Sequence, residues 1–200
     1  MIAIIDYGMG NLRSVQKAFE FLGFDASITH DKQKLLNAEK LVLPGVGAFA
    51  DAVANLKKYN LIETIKAEIA KGKFFLGICL GMQLMFAVSY ENGVHKGLKL
   101  IPGEVKPFAV KRLKVPHMGW NKLIIRDNPL FKNGKKDQYV YFVHTYHAAD
   151  VPDEYVLAES EYGYRFCAAA GKDNMYGLQF HPEKSGDIGL EILKRFGGLT

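Results

Sequence analysis

Short apolar runs alternate with amphipathic stretches through the first half of the chain. The runs are rich in branched and aromatic residues and have the length of buried strands. They cover residues 2–5, 24–29, 41–43 and 74–78. Between them apolar residues recur at helical spacing, which predicts helices over 12–22, over 32–36 after an Asp31 cap, and over 49–71 with a break at Asn60. This alternation predicts parallel strands joined by crossover helices.

The second half of the chain has a different texture, with short strands and turns. Strands are predicted at 103–110, 122–125, 139–143, 156–160, 166–170 and 175–180, and a final helix at 188–196. We therefore expect an α/β fold, with a central, mostly parallel sheet flanked by helices and an added region of antiparallel strands. No linker or repeat interrupts the 200 residues, so the sequence predicts a single domain over 1–200.

One cysteine lies where a strand should turn into a helix. Cys79 follows the apolar run 74–78, and Leu80, Leu84 and Val88 recur at helical spacing behind it. Gly77 and Gly81 flank it at a distance of two residues, which gives the clearance that a sharp strand-to-helix turn needs. This is the cysteine version of a nucleophile elbow. An inert core cysteine is the alternative, and the two glycines favour the functional turn.

A thiol nucleophile needs a base, and one of the six histidines is well placed for that role. His181 follows a predicted strand and is followed by Pro182 and Glu183. In an extended segment the side chains of His181 and Glu183 point the same way, so the carboxylate can hold one ring nitrogen while the other faces Cys79. The sequence therefore predicts a Cys79, His181, Glu183 triad.

Composition and charge restrict the function classes only weakly. Hydrophobic residues make up 48% of the chain and charged residues 24%, with no apolar stretch long enough to span a membrane and no secretory signal. We expect a cytoplasmic protein, and its two cysteines argue against a disulfide framework. The net charge is +5, and a basic run at 106–114 is either a nucleic-acid patch or, as we favour, a solvated strand edge.

Cofactor and metal sites are not indicated by the motifs. The pair Gly8 and Gly10 suggests a dinucleotide loop, but Arg13 stands where the third glycine of that motif belongs. No cluster of residues has zinc-site spacing. We therefore expect no cofactor and no metal.

The motifs together resemble a known family. Gly77-Ile-Cys79-Leu-Gly81-x-Gln83 with the distal His181-Pro-Glu183 resembles the class I (triad) glutamine amidotransferases. Within that family, one branch is the glutaminase subunit of imidazole glycerol phosphate synthase, from histidine biosynthesis. The segments that resemble this branch are 6–12, 44–47, 116–121, 142–146 and 180–185.

The resemblance implies a single-domain class I glutamine amidotransferase fold and a role for each motif. Cys79 would attack the side-chain amide of glutamine, His181 would move protons and Glu183 would hold the imidazole. The residues implied in stabilising the oxyanion or binding glutamine are Gly45, Val46, Gly47, Leu80, Gln83, Thr145 and Tyr146.

The resemblance also implies a partner. The ammonia would pass through a channel to a separate barrel cyclase subunit in a heterodimer, without nucleic acid or membrane. Asn11, Trp120, Tyr141 and Lys184 match positions expected to face that subunit. His147 and the lysine-rich segment 132–136 are left unexplained.

Two other functions remain open on the sequence. A paralogous glutaminase subunit could supply ammonia to a sugar-modifying amidotransferase of cell-surface polysaccharide synthesis. A flavodoxin-like cysteine peptidase or chaperone, or a binding module with a dead site, is a different class. In that peptidase family a histidine usually follows the nucleophile, whereas Leu80 does here, and a dead site would not need both His181 and Glu183.

Overall fold

The computed structural model describes residues 1–131 and 138–200. The helices are α1 (Leu12–Phe21), α2 (Lys32–Asn37), α3 (Phe49–Lys58), α4 (Ile62–Ala70), α5 (Leu80–Leu84) and α6 (Gly186–Gly197). The strands are β1 (Ile2–Ile5), β2 (Ala26–Thr29), β3 (Lys40–Gly45), β4 (Phe74–Cys79), β5 (Val88–Ser89), β6 (His95–Lys96), β7 (Glu104–Pro107), β8 (His117–Lys122), β9 (Ile124–Ile125), β10 (Tyr139–His144), β11 (Tyr146–Ala149), β12 (Val156–Glu161), β13 (Arg165–Lys172) and β14 (Met175–Leu178). Single 3₁₀ turns cover Asp153–Tyr155 and Pro182–Lys184.

The large sheet has a parallel half and an antiparallel half. Strands β2, β1, β3, β4 and β14 lie side by side in that order and are all parallel. The sheet then continues through β13, β11 and β7 with antiparallel pairing. Strands β8 and β10 form a separate antiparallel pair. The predicted α/β fold with an added antiparallel region is confirmed.

The parallel half is covered on both faces, which explains its unbroken apolar strands. Neighbouring residues of β1 point to opposite sides, so that Ile4 packs in one core and Ile5 in the other. Helices α1 and α6 cover the first face, and α2, α3, α4 and α5 cover the second. Among the described residues, none of the helices is both long and apolar enough to cross a membrane.

Several boundaries differ from the predictions. The long helix breaks where expected, because Asn60 adopts a left-handed φ of 53° between α3 and α4. The helix after Cys79 is shorter than the apolar spacing suggested: it ends at Leu84, and Val88 begins a strand. Strands β6, β8 and β11 were missed, since they are short or mix polar with apolar residues and carry no clear alternation.

The basic run is not a strand edge. Lys106 lies on β7, which is paired on both sides by β11 and β5, and its ammonium group is 2.6 Å from Asp150 and 3.0 Å from Glu104. The remaining basic residues of the run lie in an exposed loop after β7. The segment 132–136 lies outside the described residues.

A cluster of aromatic and histidine rings joins the β8–β10 pair to the large sheet. His117 stacks on Phe142 with ring centroids 4.8 Å apart, and His144 lies 5.4 Å from Phe166. Both imidazoles are buried. Burial lowers the pKa of His117 to about 4 and that of His144 to about 3. Both rings are therefore neutral at physiological pH.

This burial predicts a loss of stability in mild acid. The unfolded chain takes up protons on these histidines below about pH 6.5, whereas the folded chain does not, so the free energy of unfolding should fall as the pH drops below that value. Between pH 6.5 and 5, His144→Asn should flatten the dependence by up to about 1.4 kcal/mol per pH unit. Urea denaturation across this range measures it. Parallel curves for the two proteins would contradict a buried neutral His144.

Candidate active site

Cys79 lies at a strained turn between β4 and α5. Its φ is +55° and its ψ −110°, a conformation that side chains rarely adopt. A Cβ added to Gly77 would come within 2.6 Å of the Gly81 carbonyl oxygen, and one added to Gly81 would collide with the Leu43 carbonyl oxygen. The predicted elbow therefore exists, and its two glycines are needed because backbone fills the space where side chains would stand.

The strand on one side of β4 brings the predicted oxyanion segment to the cysteine. Gly45, the last residue of β3, lies directly opposite Cys79 in the parallel register. A Cβ on Gly45 would approach the Tyr7 hydroxyl to 2.5 Å, so this approach also requires glycine. The Tyr7 hydroxyl is buried and has no hydrogen-bond partner among the described residues. Burial, and then the nearby Cys79, raise its pKa, so it stays protonated.

His181 and Glu183 form a buried pair on the other side of β4. Their Nδ1 and Oε1 atoms are 2.9 Å apart, and both side chains are almost fully buried. The expectation of an extended chain here was wrong: Pro182 starts a 3₁₀ turn that runs to Lys184. The turn still brings the carboxylate to the ring, and the His181 carbonyl accepts a hydrogen bond from Ser185 Oγ at 2.6 Å.

The second ring nitrogen of His181 points to the nucleophile side. Nε2 is buried and has no hydrogen-bond partner among the described residues, but Cys79 is close enough to influence the charge of the ring. Burial alone would lower the pKa of His181. Cys79 and Glu183 outweigh it and raise the pKa above its ordinary value, because both stabilise the imidazolium.

These groups open into a cavity of about 360 Å³. Of the residues predicted for the site, those that line it are Val46, Gly47, Cys79, Leu80, Gln83, Thr145, Tyr146 and His181. Gly45 and Glu183 are not among its lining residues: Gly45 is buried, and Glu183 is paired with His181. The cavity is also lined by Glu91, Pro116, Val143 and His144, which sequence reasoning did not select.

Gln179 is a further site residue that the sequence analysis missed. Its Nε2 lies 3.8 Å from Cys79 Sγ, and its Oε1 accepts a hydrogen bond from Gln83 Nε2 at 3.1 Å. The signal was available, because Gln179 follows β14 and stands two residues before His181. Gln83 Nε2 also donates to the Tyr146 carbonyl at 2.9 Å, so it joins the elbow helix to the opposite wall.

The predicted partner residues lie near one another on the surface. Trp120 is 56% exposed, and its ring meets that of Tyr141 edge to face at 6.0 Å. Asn11 Nδ2 is 3.4 Å from Glu183 Oε1, and Lys184 is exposed next to that carboxylate. Within the described ranges, no group of three or more His, Cys, Asp or Glu side chains is arranged to hold a metal ion.

A strained elbow cysteine beside a buried His–Glu pair, at the carboxyl edge of a parallel sheet, is the arrangement of a thiol-dependent acyl-transfer enzyme. Comparison with known proteins makes the class specific. The chain belongs to the class I glutamine amidotransferase family, whose model matches residues 3–197. It is thus an enzyme of that family.

The chain matches relatives over almost their whole length. It is 53% identical to the imidazole glycerol phosphate synthase subunit HisH of Caldanaerobacter subterraneus subsp. tengcongensis, over 100% of this chain and 98% of the relative. It is 52% identical to the subunit of the same name from Geobacter metallireducens, over 98% and 96%. Solved structures share the fold: a glutamine amidotransferase (TM-score 0.77, 18% identity, 100% of both chains) and PurLQS from Thermotoga maritima (TM-score 0.75, 19% identity, 98% and 96%).

The packing at the elbow predicts that one methyl group added at Gly81 makes the fold much less stable. Gly81→Ala should lower the free energy of unfolding by at least about 2 kcal/mol, because the new Cβ meets the Leu43 backbone, which cannot move aside without disturbing β3. Chemical denaturation measures the change. Gly198→Ala is the control, since its Cβ would lie at ordinary contact distance, 3.5 Å from the Lys194 carbonyl oxygen. Equal stability of the two variants would contradict the tight elbow.

Proposed function

We propose that the chain is the glutaminase subunit of an imidazole glycerol phosphate synthase. It hydrolyses glutamine to glutamate and ammonia, and the ammonia passes to a cyclase subunit for histidine biosynthesis. The observation that carries the proposal is the cavity in which Cys79 and His181 meet, with Gln83 and the segment 145–146 on its walls. The full-length likeness to HisH subunits supports this choice of pathway.

The first half of the reaction forms a thioester. The Cys79 thiolate attacks the side-chain carbonyl carbon of glutamine, and the carbonyl oxygen takes the negative charge. We expect backbone N–H groups of Leu80 and of the segment 45–47 to receive that charge, and one such donor is worth about 3 to 4 kcal/mol in comparable sites. The C–N bond then breaks as the imidazolium of His181 gives its proton to the departing nitrogen, which leaves as ammonia.

The second half regenerates the thiolate. Neutral His181 removes a proton from water, the water oxygen attacks the thioester, and the C–S bond breaks to release glutamate. Cys79 and protonated His181 are then restored together. Glu183 stabilises the imidazolium at 2.9 Å and holds the ring with Nε2 free for both transfers.

The partner surface proposed for the cyclase is formed by Asn11, Trp120, Tyr141 and Lys184. An exposed tryptophan beside a tyrosine is typical of interface anchors. The surface is next to the base, because the His181 N–H donates to the Tyr141 carbonyl at 2.9 Å and Asn11 reaches Glu183. Ammonia formed in the cavity would therefore be released close to this surface. We propose a heterodimer in which residues 1–200 act as one domain.

The alternative partner, a sugar-modifying amidotransferase of polysaccharide synthesis, would use the same chemistry. It lacks the support that the HisH relatives give to the histidine pathway. Co-purification with a barrel cyclase, followed by an assay of its glutamine-dependent product, separates the two proposals.

Removal of the nucleophile should divide the two activities of the complex. Cys79→Ala is expected to reduce glutamine hydrolysis at least about 1,000-fold, because no thioester can form. The complex should still make product from added ammonium salts, since Cys79 produces ammonia but does not use it. Product formation from glutamine and from ammonium measures both. Loss of the ammonium-dependent reaction in a folded complex would contradict the proposal.

Loss of the base should lower kcat more than loss of the negative charge on the carboxylate that orients it. His181→Ala removes proton transfer and should lower kcat more than Glu183→Gln, whose amide oxygen still accepts a hydrogen bond but stabilises the imidazolium poorly. Steady-state glutaminase assays of the two variants in the complex measure the order. Unchanged turnover in His181→Ala would remove this residue from catalysis.

A further inference from the structure

The main-chain carbonyl of Tyr146 has two side-chain partners. Gln83 Nε2 donates to it at 2.9 Å, and His144 Nδ1 lies 2.9 Å from it. The segment that carries this carbonyl lines the cavity, and its neighbour Val143 places a carbonyl oxygen 4.0 Å from Cys79 Sγ. His144 is therefore one of two side chains that contact this segment of the cavity wall through its main chain.

The carbonyl fixes the tautomers of two buried histidines. Because it can only accept, Nδ1 of His144 carries a hydrogen, and Nε2 of the neutral ring is an acceptor. That Nε2 lies 3.0 Å from His117 Nδ1, which must then be the donor, so His117 Nε2 is an acceptor as well. Asn121 Nδ2 lies 3.2 Å from this last nitrogen and is able to donate. The hydrogen bonds therefore run in a single direction: Asn121 donates to His117, His117 donates to His144, and His144 donates to the Tyr146 carbonyl.

The outer end of the chain is anchored to the sheet. Asn121 Nδ2 also donates to the Glu161 carbonyl at 2.8 Å, and its Oδ1 accepts from the Lys122 N–H at 2.8 Å. Both amide hydrogens are thus used. Protonation of His117 would place an N–H opposite the N–H of Asn121, and the hydrogen bond between them would be lost. The arrangement therefore requires both rings to be neutral.

We propose that His144, held in one tautomer by His117 and Asn121, is a positioning residue for the glutamine subsite. It acts through the Tyr146 carbonyl and keeps the wall of residues 145–146 in place for the substrate. This inference rests on the proposed glutaminase function. The residue before Asn121 is Trp120 of the proposed partner surface. This series of hydrogen bonds therefore connects that surface with the cavity wall at residues 145–146.

His147 offers an internal comparison in the same aromatic cluster. Its ring contacts Phe108 at a centroid distance of 4.5 Å, and it is as buried as His144. Its nitrogens face the Ala148 carbonyl and the Tyr164 hydroxyl, at 2.9 and 2.8 Å, neither of which lines the cavity. A defect from lost packing alone should be alike for the two histidines, whereas a defect in positioning should be confined to His144.

Two replacements of His144 separate hydrogen bonding from size. Asparagine places an amide where Nδ1 stands and can still donate to Tyr146, whereas glutamine reaches the Nε2 position and leaves Tyr146 without that donor. In the complex with the cyclase, His144→Gln should raise KM for glutamine about tenfold, as one lost hydrogen bond permits. His144→Asn should raise it less than about threefold, and kcat should change less than KM in both.

The alternative outcomes are distinct. Glutamine is closer than asparagine to histidine in size, so a purely structural role gives the reverse order; that order, or equal KM values, would overturn the inference. His147→Gln should leave KM within about twofold, and a rise equal to that of His144→Gln would also overturn it. If the unmodified complex fails to hydrolyse glutamine, the proposed function is wrong instead.

A spectroscopic measurement keeps the inference testable even if a variant does not fold. In the unmodified protein labelled with ¹⁵N-histidine, His144 and His117 should both give the resonances of neutral, Nδ1-protonated rings at pH 7. An Nε2-protonated or charged ring at either position would overturn the assignment. Either the Tyr146 carbonyl would then have no N–H donor from His144, or the hydrogen bonds from Asn121 to Tyr146 could not all run in one direction.

Discussion

The left-handed backbone at Cys79 is the constraint on which the site depends. Such a conformation costs on the order of 1 to 3 kcal/mol and persists only where the surroundings enforce it. Here strands β3 and β14 pair with β4 on both sides, and Gly77 and Gly81 let the chain fold back against the backbone at Leu43. The parallel register then sets Gly45 opposite the cysteine, and the end of β14 leads directly to Gln179 and His181. The predicted oxyanion segment and the predicted base thus lie on the two strands that flank this one strained residue.

The antiparallel half supplies the rest of the cavity. Residues 143–146 connect β10, which belongs to the separate two-stranded sheet, with β11, which belongs to the large one. All four of these residues line the cavity, so both sheets contribute to its wall. The base is tied to the same strand, since the Tyr141 N–H donates to Ser185 Oγ and the Tyr141 carbonyl accepts from His181. A shift of the β8–β10 pair would therefore move His181 and the cavity wall at 143–146 together.

Local signals in the sequence were enough for the parallel half and for the chemistry. The apolar runs, the glycines around Cys79 and the short separation of His181 from Glu183 are all constraints within a few residues, and the structure has a strand, an elbow and an ion pair at those positions. Long-range features escaped. Strand β8 mixes polar and apolar residues because its two faces meet different surroundings, and Gln179 or His144 gain their importance from partners far along the chain. The extended reading of 181–183 failed because Pro182 favours the start of a helical turn as readily as an extended strand.

Two histidines of one cavity are held in opposite electrostatic states. His181 has Glu183 and Cys79 as partners, so its charged form is stabilised and its pKa is raised. For His144 burial dominates, and the neighbouring histidines 117, 147 and 181 oppose its protonation further, so its pKa is lowered. The two effects support each other, because an imidazolium at His181 makes a second charge at His144 more costly. A proton is thereby kept on the ring next to Cys79, while the ring beside the Tyr146 carbonyl stays a neutral donor.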